Sequence, residues 1–516
     1  MTKMKYTPIL TILLLISFQS GDCFFGSPSF MKIRQKVEEH RKQEIFRQLY
    51  HEQMRFPEFI ARTPIVDQYF TQPLDHFDPE ILLRYNQRYW VNDAFWKRPD
   101  GPVFLYIGGE GALQSYVVQA GEHVDLAKKY GALVMAVEHR YYGASINDNG
   151  LELKNMQYLS SQQALADLAT FHTFASRKYN LTSQNTWICF GGSYPGALSA
   201  WFRLKYPHLV YGAVASSAPV RAITNFEGYN NVVAASLADP VVNGSKKCAA
   251  NIKAAFAKVD ELIKGQQFPD LERDFLSCEK FNGSHDVFQF ASNLAGNFMG
   301  VVQYNKEMPS IDITGICREM DTDLNPYASL MKLNKDLLTQ TGEKCADNSW
   351  TNFLKQMKNT TVDRKTGGAG IRQWIYQTCT QFGYYQTCDT NTTCIFSKAM
   401  ELGPNLDICS SVFGIMPSQV DKRIEFSNAY YGADQPRGTR IMFVNGSIDP
   451  WHALSVLGDA SASEIAIFIN GTAHCANMSS GKASDPQSLK DARTEISARI
   501  RHWLQQARLE VSNRRQ

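Results

Sequence analysis

The segment Trp187-Ile-Cys-Phe-Gly-Gly-Ser-Tyr-Pro-Gly-Ala-Leu-Ser-Ala200 constrains the fold of this chain more than any other. Residues 187–190 form an apolar run with the length of a short buried strand. Gly191 and Gly192 follow, then Ser193, then Tyr194-Pro195-Gly196 and a helical pattern through Trp201, Phe202 and Leu204. Strand, tight turn, serine and helix make the layout of a nucleophile elbow. Small residues let the turn close and hold a hydroxyl above the strand ends. The second glycine of the usual pattern is displaced by one, giving Gly191-x-Ser193-x-Pro195-Gly196. Pro195 is tolerated because the first turn of a helix leaves its N–H groups unpaired. Tyr194 keeps its N–H, the group placed to face an oxyanion. Taken alone, the window also fits an ordinary strand-to-helix turn.

The flanking sequence decides how the elbow is built in. Residues 102–107 are a fully apolar strand ending in Gly108-Gly-Glu-Gly111. That turn lacks the Lys-Ser/Thr ending of a phosphate loop and the spacing of a dinucleotide site. Its other use is to supply a second oxyanion N–H. Residues 123–130 read as a helix and 132–137 as a buried strand. Glu138-His-Arg-Tyr-Tyr-Gly143 follows, with Glu138 and Arg140 expected to pair. A further helix spans 161–179 and a further strand 210–215. Strands and helices thus alternate from 102 to 219, the signature of a mostly parallel sheet with helices on both faces. Upstream, residues 83–91 alternate with period two and read as a half-solvated edge strand.

From about residue 222 to 403 the alternation stops and helical patterns take over. This is a helical insertion pinned by disulfides or an independent second domain. Alternation resumes with a strand at 439–444, ending Asn445-Gly-Ser-Ile-Asp-Pro-Trp451. Another at 463–469 ends Asn470-Gly-Thr-Ala-His-Cys-Ala476, and an amphipathic helix closes the fold at 491–504. The expected divisions are a signal peptide at 1–23, an N-terminal segment at 24–63, a first sheet portion at 64–221, a cap at 222–410, a second sheet portion at 411–507 and a polar tail at 508–516. Within 24–63, Val37, Ile45, Phe46 and Leu49 give one narrow apolar stripe. A partly exposed helix is expected there, either a pro-segment or an arm on the main domain.

Lys3 and Lys5 precede an apolar run from Ile9 to Phe18, and small or polar residues follow through Gly21 and Cys23. That is the order of a secretory signal, and it directs the chain to an oxidising compartment where disulfides persist. Secretion and lysosomal delivery are both compatible with it. No later stretch is apolar enough to span a membrane. Sequons at Asn180, Asn243, Asn282, Asn359, Asn391, Asn445 and Asn477 fit a glycoprotein, with Asn445 suspect at a strand end. The formal charge of +3 among 516 residues implies no nucleic-acid partner. No Cys-x-x-Cys and no His-Glu-x-x-His occurs, so neither metal nor cofactor is expected.

A serine hydroxyl becomes a nucleophile when a neutral imidazole takes its proton and a carboxylate orients that imidazole. Asp449 and His474 each follow a late strand. The order Ser193, Asp449, His474 is that of α/β-hydrolases. The fold class is therefore α/β, an α/β-hydrolase with a large, mostly helical, disulfide-bearing cap. His139 and His452 are weaker candidates. At this level an esterase or lipase, or a silent binding protein on the same fold, stays open.

Tyr69-Phe-Thr-Gln-Pro-Leu-Asp-His-Phe77, Gly108-Gly-Glu-Gly111, Glu138-His-Arg-Tyr-Tyr-Gly143, Gly191-Gly-Ser-Tyr194, Ser216-Ser-Ala-Pro219, residues 445–451 and His474-Cys-Ala476 carry a specific resemblance. The chain resembles the serine peptidase family of lysosomal Pro-Xaa carboxypeptidase, dipeptidyl-peptidase II and thymus-specific serine protease, and looks most like the thymus-specific branch. The resemblance implies Ser193 as nucleophile, Asp449 as orienting acid and His474 as base. It implies an oxyanion hole from the N–H of Tyr194 and one of the Gly109–Glu110 loop. It implies short peptides as substrates and cleavage beside proline, by an exopeptidase of carboxypeptidase or dipeptidyl-peptidase type. A homodimer is admitted. Glu110 is a candidate for an N-terminal amine, and Trp451 and Tyr194 for an aromatic pocket wall. The chain departs from the pattern twice: Pro195 stands where relatives carry a small residue, and Gly109 where the proline-directed relatives carry Asn.

Overall fold

Five of the strands read from the sequence carry side chains that are apolar on both faces, and such strands can only lie inside a sheet covered on both sides. The computed structural model describes residues 27–55, 65–308, 311–322, 325–363, 370–389 and 392–513. The signal peptide expected at 1–23, the proline-flanked stretch 57–64 and Asn391 lie outside the described residues. The strands are β1 (Gln68–Pro73), β2 (Arg84–Asn92), β3 (Val103–Ile107), β4 (Leu133–Val137), β5 (Trp187–Gly192), β6 (Gly212–Ser216), β7 (Ile223–Asn225), β8 (Gly383–Tyr385), β9 (Ile441–Gly446) and β10 (Glu464–Ile469). Eight of them form one sheet in the order β1-β2-β4-β3-β5-β6-β9-β10, and β7 and β8 form a separate pair. β1–β2 and β2–β4 are antiparallel. Every other pairing in the large sheet is parallel.

Alternate residues of each strand enter different cores. Leu105, Met135 and Cys189 face one side, packed with Leu165, Leu168, Phe171, Leu198 and Trp201 of the helices Ser161–Lys178 and Tyr194–Lys205. Phe104, Val134, Ile188 and Phe190 face the other. There Val124 of the helix Glu122–Tyr130 and Ile496, Ile500 and Trp503 of the helix Gln487–Asn513 cover them. This is an α/β-hydrolase sheet.

The edge-strand expectation for residues 83–91 is corrected. β2 lies inside the sheet between β1 and β4. Its first half alternates in burial, but Tyr89, Trp90, Val91 and Asn92 are all buried where the strand meets β4. β1 takes the edge. The expected Glu138–Arg140 pair is also corrected. Arg88 pairs with Glu138 at 2.6 Å, and Arg140 pairs with Asp167 through Nε at 2.6 Å and Nη2 at 2.8 Å. Asp167 also meets His76 Nε2 at 2.7 Å and accepts from Tyr85 Oη at 2.8 Å. Burial pushes the Asp167 carboxyl up, but Arg140 outweighs it and holds it below the usual carboxylate range.

Between β7 and β9 the chain is mainly helical, and the disulfides Cys248–Cys317, Cys278–Cys345, Cys379–Cys409 and Cys388–Cys394 all fall there. Cys189 and Cys475 are free. The N-terminal helix Pro28–Arg55 packs chiefly on the insertion helices Ser284–Gln303 and Pro326–Thr341. Phe30 and Ile33 lie against Gly300 of the helix Ser284–Gln303, where a Cβ would come within 3.2 Å of the Phe30 ring. The expected stripe is met at Val37, which is buried, and in part at Ile45 and Leu49, which are half-buried; Phe46 departs from it. Phe30, Ile33 and Val37 are buried, whereas Phe46 is 52% exposed and meets Tyr116; its neighbours Glu44, Ile45, Arg47 and Gln48 line a cavity. No helix among the described residues is long and apolar enough to cross a membrane.

Replacing Arg140 with Met removes the cation and strands the Asp167 carboxylate in the interior. A loss of about 3–5 kcal/mol in stability is expected, read as a fall in the urea midpoint.

Candidate active site

Parallel strands deliver their following loops to one edge of the sheet, so residues distant in sequence converge there. The loops after β3, β5, β9 and β10 carry Gly109, Ser193, Asp449 and His474. Gly192 lies opposite Ser216 in the β5–β6 register, and the Ser193 N–H donates to the Ser216 carbonyl at 2.9 Å. Ser193 itself has φ 64° and ψ −134°, a conformation costly to any side chain and suited to a sharp strand-to-helix turn. Gly191 and Gly196 have no room for side chains. A Cβ on Gly191 would meet the Pro195 carbonyl oxygen at 2.1 Å, and one on Gly196 the Ser216 carbonyl oxygen at 2.5 Å. Pro195 occupies the first turn of the helix Tyr194–Lys205. Tyr194 opens that helix, so its N–H lies outside the i→i−4 ladder.

His474 Nδ1 and Asp449 Oδ1 are 2.9 Å apart. Asp449 is fully buried, and its Oδ1 also accepts the Trp451 N–H at 3.0 Å. Burial lowers the His474 imidazole, but Asp449 and then Cys475 outweigh it and hold it well above the usual histidine range. With Nδ1 tied to the carboxylate, Nε2 is the nitrogen left for a reacting partner. Ser193, Gly109 and His474 line one cavity of about 560 Å³.

The remaining candidates separate. Gly109 lines the cavity, but Glu110 does not; it is 1% exposed and acts electrostatically on Tyr194 inside the protein. Its candidacy for an N-terminal amine is corrected on that ground. Tyr194 and Trp451 are likewise corrected as cavity walls. The Tyr194 hydroxyl meets His139 Nε2 at 3.0 Å and accepts from Gln377 Nε2 at 3.1 Å, and its ring is buried. Trp451 packs against Phe226 and Tyr384 and donates its Nε1–H to Gln303 Oε1 at 3.0 Å. His139 is buried, and its imidazole is pushed down to about 4, so it stays neutral and supports Tyr194. His452 meets the Gly446 carbonyl and packs on Phe468.

Sequence reasoning missed Gln303 and misassigned Glu138. The Gln303 carbonyl accepts the His474 N–H at 3.1 Å, and its side chain accepts from both Trp451 and Tyr229. It ties the insertion to the His474 loop. A glutamine in a helix carries no local signal of such a role. Glu138 accepts the Leu113 N–H at 3.0 Å and the Ser145 hydroxyl at 2.7 Å, which fixes the end of the Gly108–Gly111 loop.

The two departures, Gly109 and Pro195, prove to be one contact. A Cβ on Gly109 would lie 2.2 Å from Pro195 Cγ and 2.5 Å from Cδ, but 3.7 Å from its Cβ. The proline ring alone excludes a side chain at 109. Gly109→Asn is therefore expected to cost about 1–3 kcal/mol by overpacking, and Pro195→Ala in the same chain to recover it. Thermal midpoints of the two single variants and the double variant measure the coupling.

Four sequons are open and two are closed. Asn180, Asn243, Asn282 and Asn359 are exposed. Asn445 donates its side chain to the Val456 carbonyl, and Asn477 donates to Glu122 and Ser216; both are buried, which corrects their assignment as glycan sites. Glycopeptide mass spectrometry of the protein expressed through the secretory pathway is expected to find glycans among the four exposed asparagines and none on Asn445 or Asn477.

Residues 72–496 match the family Serine carboxypeptidase S28. The chain is 38% identical over 446 residues to the thymus-specific serine protease of Homo sapiens, covering 85% of this chain and 86% of that protein. Against the Mus musculus thymus-specific serine protease the identity is 40% over 445 residues, covering 84% and 86%. Against the Bos taurus lysosomal Pro-X carboxypeptidase it is 27% over 456 residues, covering 85% and 87%. The disulfides and these relatives fit the secretory pathway. A match over most of the chain, joined to this sheet and this constellation, makes the protein a serine peptidase that belongs to the serine carboxypeptidase S28 family.

Proposed function

We propose that the protein is an exopeptidase that hydrolyses short peptides through a Ser193 acyl-enzyme, with His474 as base and Asp449 as its orienting acid. The observation that carries this is the pairing of buried Asp449 with His474 at 2.9 Å in the loop that shares a cavity with strained Ser193. Ser193 Oγ attacks the peptide carbonyl carbon while its proton passes to His474 Nε2. The carbonyl oxygen becomes an oxyanion, taken by the Tyr194 N–H and one from the Gly109–Glu110 turn. His474 then gives the proton to the leaving amine as the C–N bond breaks. Water repeats the sequence on the ester, restoring the serine and releasing the acid.

Substrate size follows from the walls. The N-terminal helix lines the Ser193 cavity with His40, Arg41, Glu44, Ile45 and Gln48, and the chain just after Gln303 contributes Tyr304. A folded protein does not enter such a space, whereas a chain end does. A preference for proline-containing ends is drawn from the lysosomal Pro-X relatives. The Gly109–Pro195 pair, which differs from theirs, is where that preference would be altered. Delivery to the lysosome or the cell exterior follows the same relatives and the signal at 1–23.

Ser193→Ala is expected to lower kcat by about 10⁶-fold and to end labelling by a fluorophosphonate probe, with the fold retained. Undiminished hydrolysis of a peptide library by that variant would falsify the assignment. Asp449→Asn is expected to cost about 10⁴-fold in kcat. It also removes the charge that opposes burial at His474. Activity rises with pH as His474 loses its proton, so the acid limb of kcat/KM is expected to move to lower pH in the variant.

A further inference from the structure

The Ser193 cavity sorts its charges unevenly. Its acids are Glu38, Glu44 and Glu307, and each is held by an arginine. Arg34 donates to Glu38 at 3.0 Å, Arg47 pairs with Glu44, and Arg41 grips Glu307 through Nε at 3.1 Å and Nη2 at 3.0 Å. Lys306 and Lys482 line the same cavity, are exposed, and form no ion pair among the described residues. Lys482 acts electrostatically on Glu307, as does His40, so the one acid in that corner is shared by Arg41, Lys482 and His40. The corner holds more cation than it can neutralise.

The backbones that carry both lysines are tied to the His474 loop. Lys306 follows the helix Ser284–Gln303, whose last residue accepts the His474 N–H at 3.1 Å. Its own backbone is left-handed, with φ 65°. Lys482 ends the loop that begins at His474, and its N–H is capped by Asp485, which Arg493 holds in turn. A chain end bound for hydrolysis presents either an ammonium or a carboxylate. The cavity acids are already neutralised and offer little to an ammonium. Lys306 forms no ion pair among the described residues, and Lys482 has only a share of Glu307.

We propose that Lys306 and Lys482 bind the free C-terminal carboxylate of the peptide, which makes the protein a carboxypeptidase rather than an aminodipeptidase. This rests on the peptidase reading above. The carboxylate accepts hydrogen bonds from the two ammonium groups, and Arg41 and Glu307 keep the corner in place. The contact acts on binding and forms no bond with the reacting atoms.

The test uses the full glycosylated chain and a matched peptide pair, one with a free C-terminal acid and one with a C-terminal amide. Wild type, Lys306→Gln/Lys482→Gln and Lys306→Glu/Lys482→Glu are compared, with fluorophosphonate labelling of Ser193 as a check that the machinery is intact. The wild type is expected to favour the acid, with a KM that rises with ionic strength. The glutamate double variant is expected to raise KM for the acid by about tenfold, with kcat, probe labelling and the amide nearly unchanged, and the glutamine variant to fall between. Equal hydrolysis of acid and amide by the wild type overturns the inference and leaves the peptidase reading intact. So does an equal loss on both peptides in the variants. Rejection of an N-acetylated peptide with acceptance of the amide overturns it in favour of amine recognition. Hydrolysis of neither peptide by wild type whose Ser193 still labels overturns the peptidase reading, and the inference with it.

Discussion

A strand must stop and a helix must start within the few residues around Ser193, and the chain can do this only by holding a non-glycine residue at φ 64°. Such a backbone survives when its surroundings over-determine it. Here β5 is clamped between β3 and β6, the Ser193 N–H is tied to Ser216, and the helix behind it packs under the sheet. Gly191 and Gly196 are the points at which the two arms of the turn come too close for side chains. The rest of the site is arranged around this fixed hydroxyl. β6, β9 and β10 run parallel beside it, so their loops arrive at the same edge. That register brings Asp449 to His474 and both to the serine's side of the molecule.

Much of this was legible in the sequence, for a physical reason. Strands buried on both faces are short and fully apolar, and helices that cover them repeat every three to four residues, so β3, β4, β5, β6 and β9 announce themselves. Glycine, aspartate and histidine just past such strands are equally visible. What escaped depends on partners far along the chain. Periodicity shows that one side of β2 is wet in its first half, but not that its second half is enclosed by β4. Glu138 and Arg140 are two residues apart and opposite in charge, yet past the strand end their true partners, Arg88 and Asp167, come from other elements. Aromatic neighbours of the site were also over-read. Tyr194 and Trp451 sit next to the reacting groups in sequence, but their rings are turned into the protein by His139, Gln377 and Gln303.

Gln303 illustrates how the helical insertion is more than a cover. One residue at the end of the helix Ser284–Gln303 holds the His474 backbone through its carbonyl and Trp451 and Tyr229 through its amide oxygen. The same helix bears the N-terminal helix on Gly296 and Gly300. A displacement of the insertion is therefore transmitted to the base and to one wall of the cavity together. The disulfides, all within the insertion, limit how far its parts can shift against each other.

The contact between Gly109 and the Pro195 ring also bears on descent. Because the ring stands 2.2 Å from where a Cβ at 109 would be, the two positions cannot drift independently. A lineage carrying this proline can regain a side chain at 109 only after position 195 has become small. One that carries asparagine at 109 can acquire the proline only after 109 has become glycine. Each route has a cheap order and a costly one, so the pair acts as a ratchet on the loop beside the Ser193 cavity.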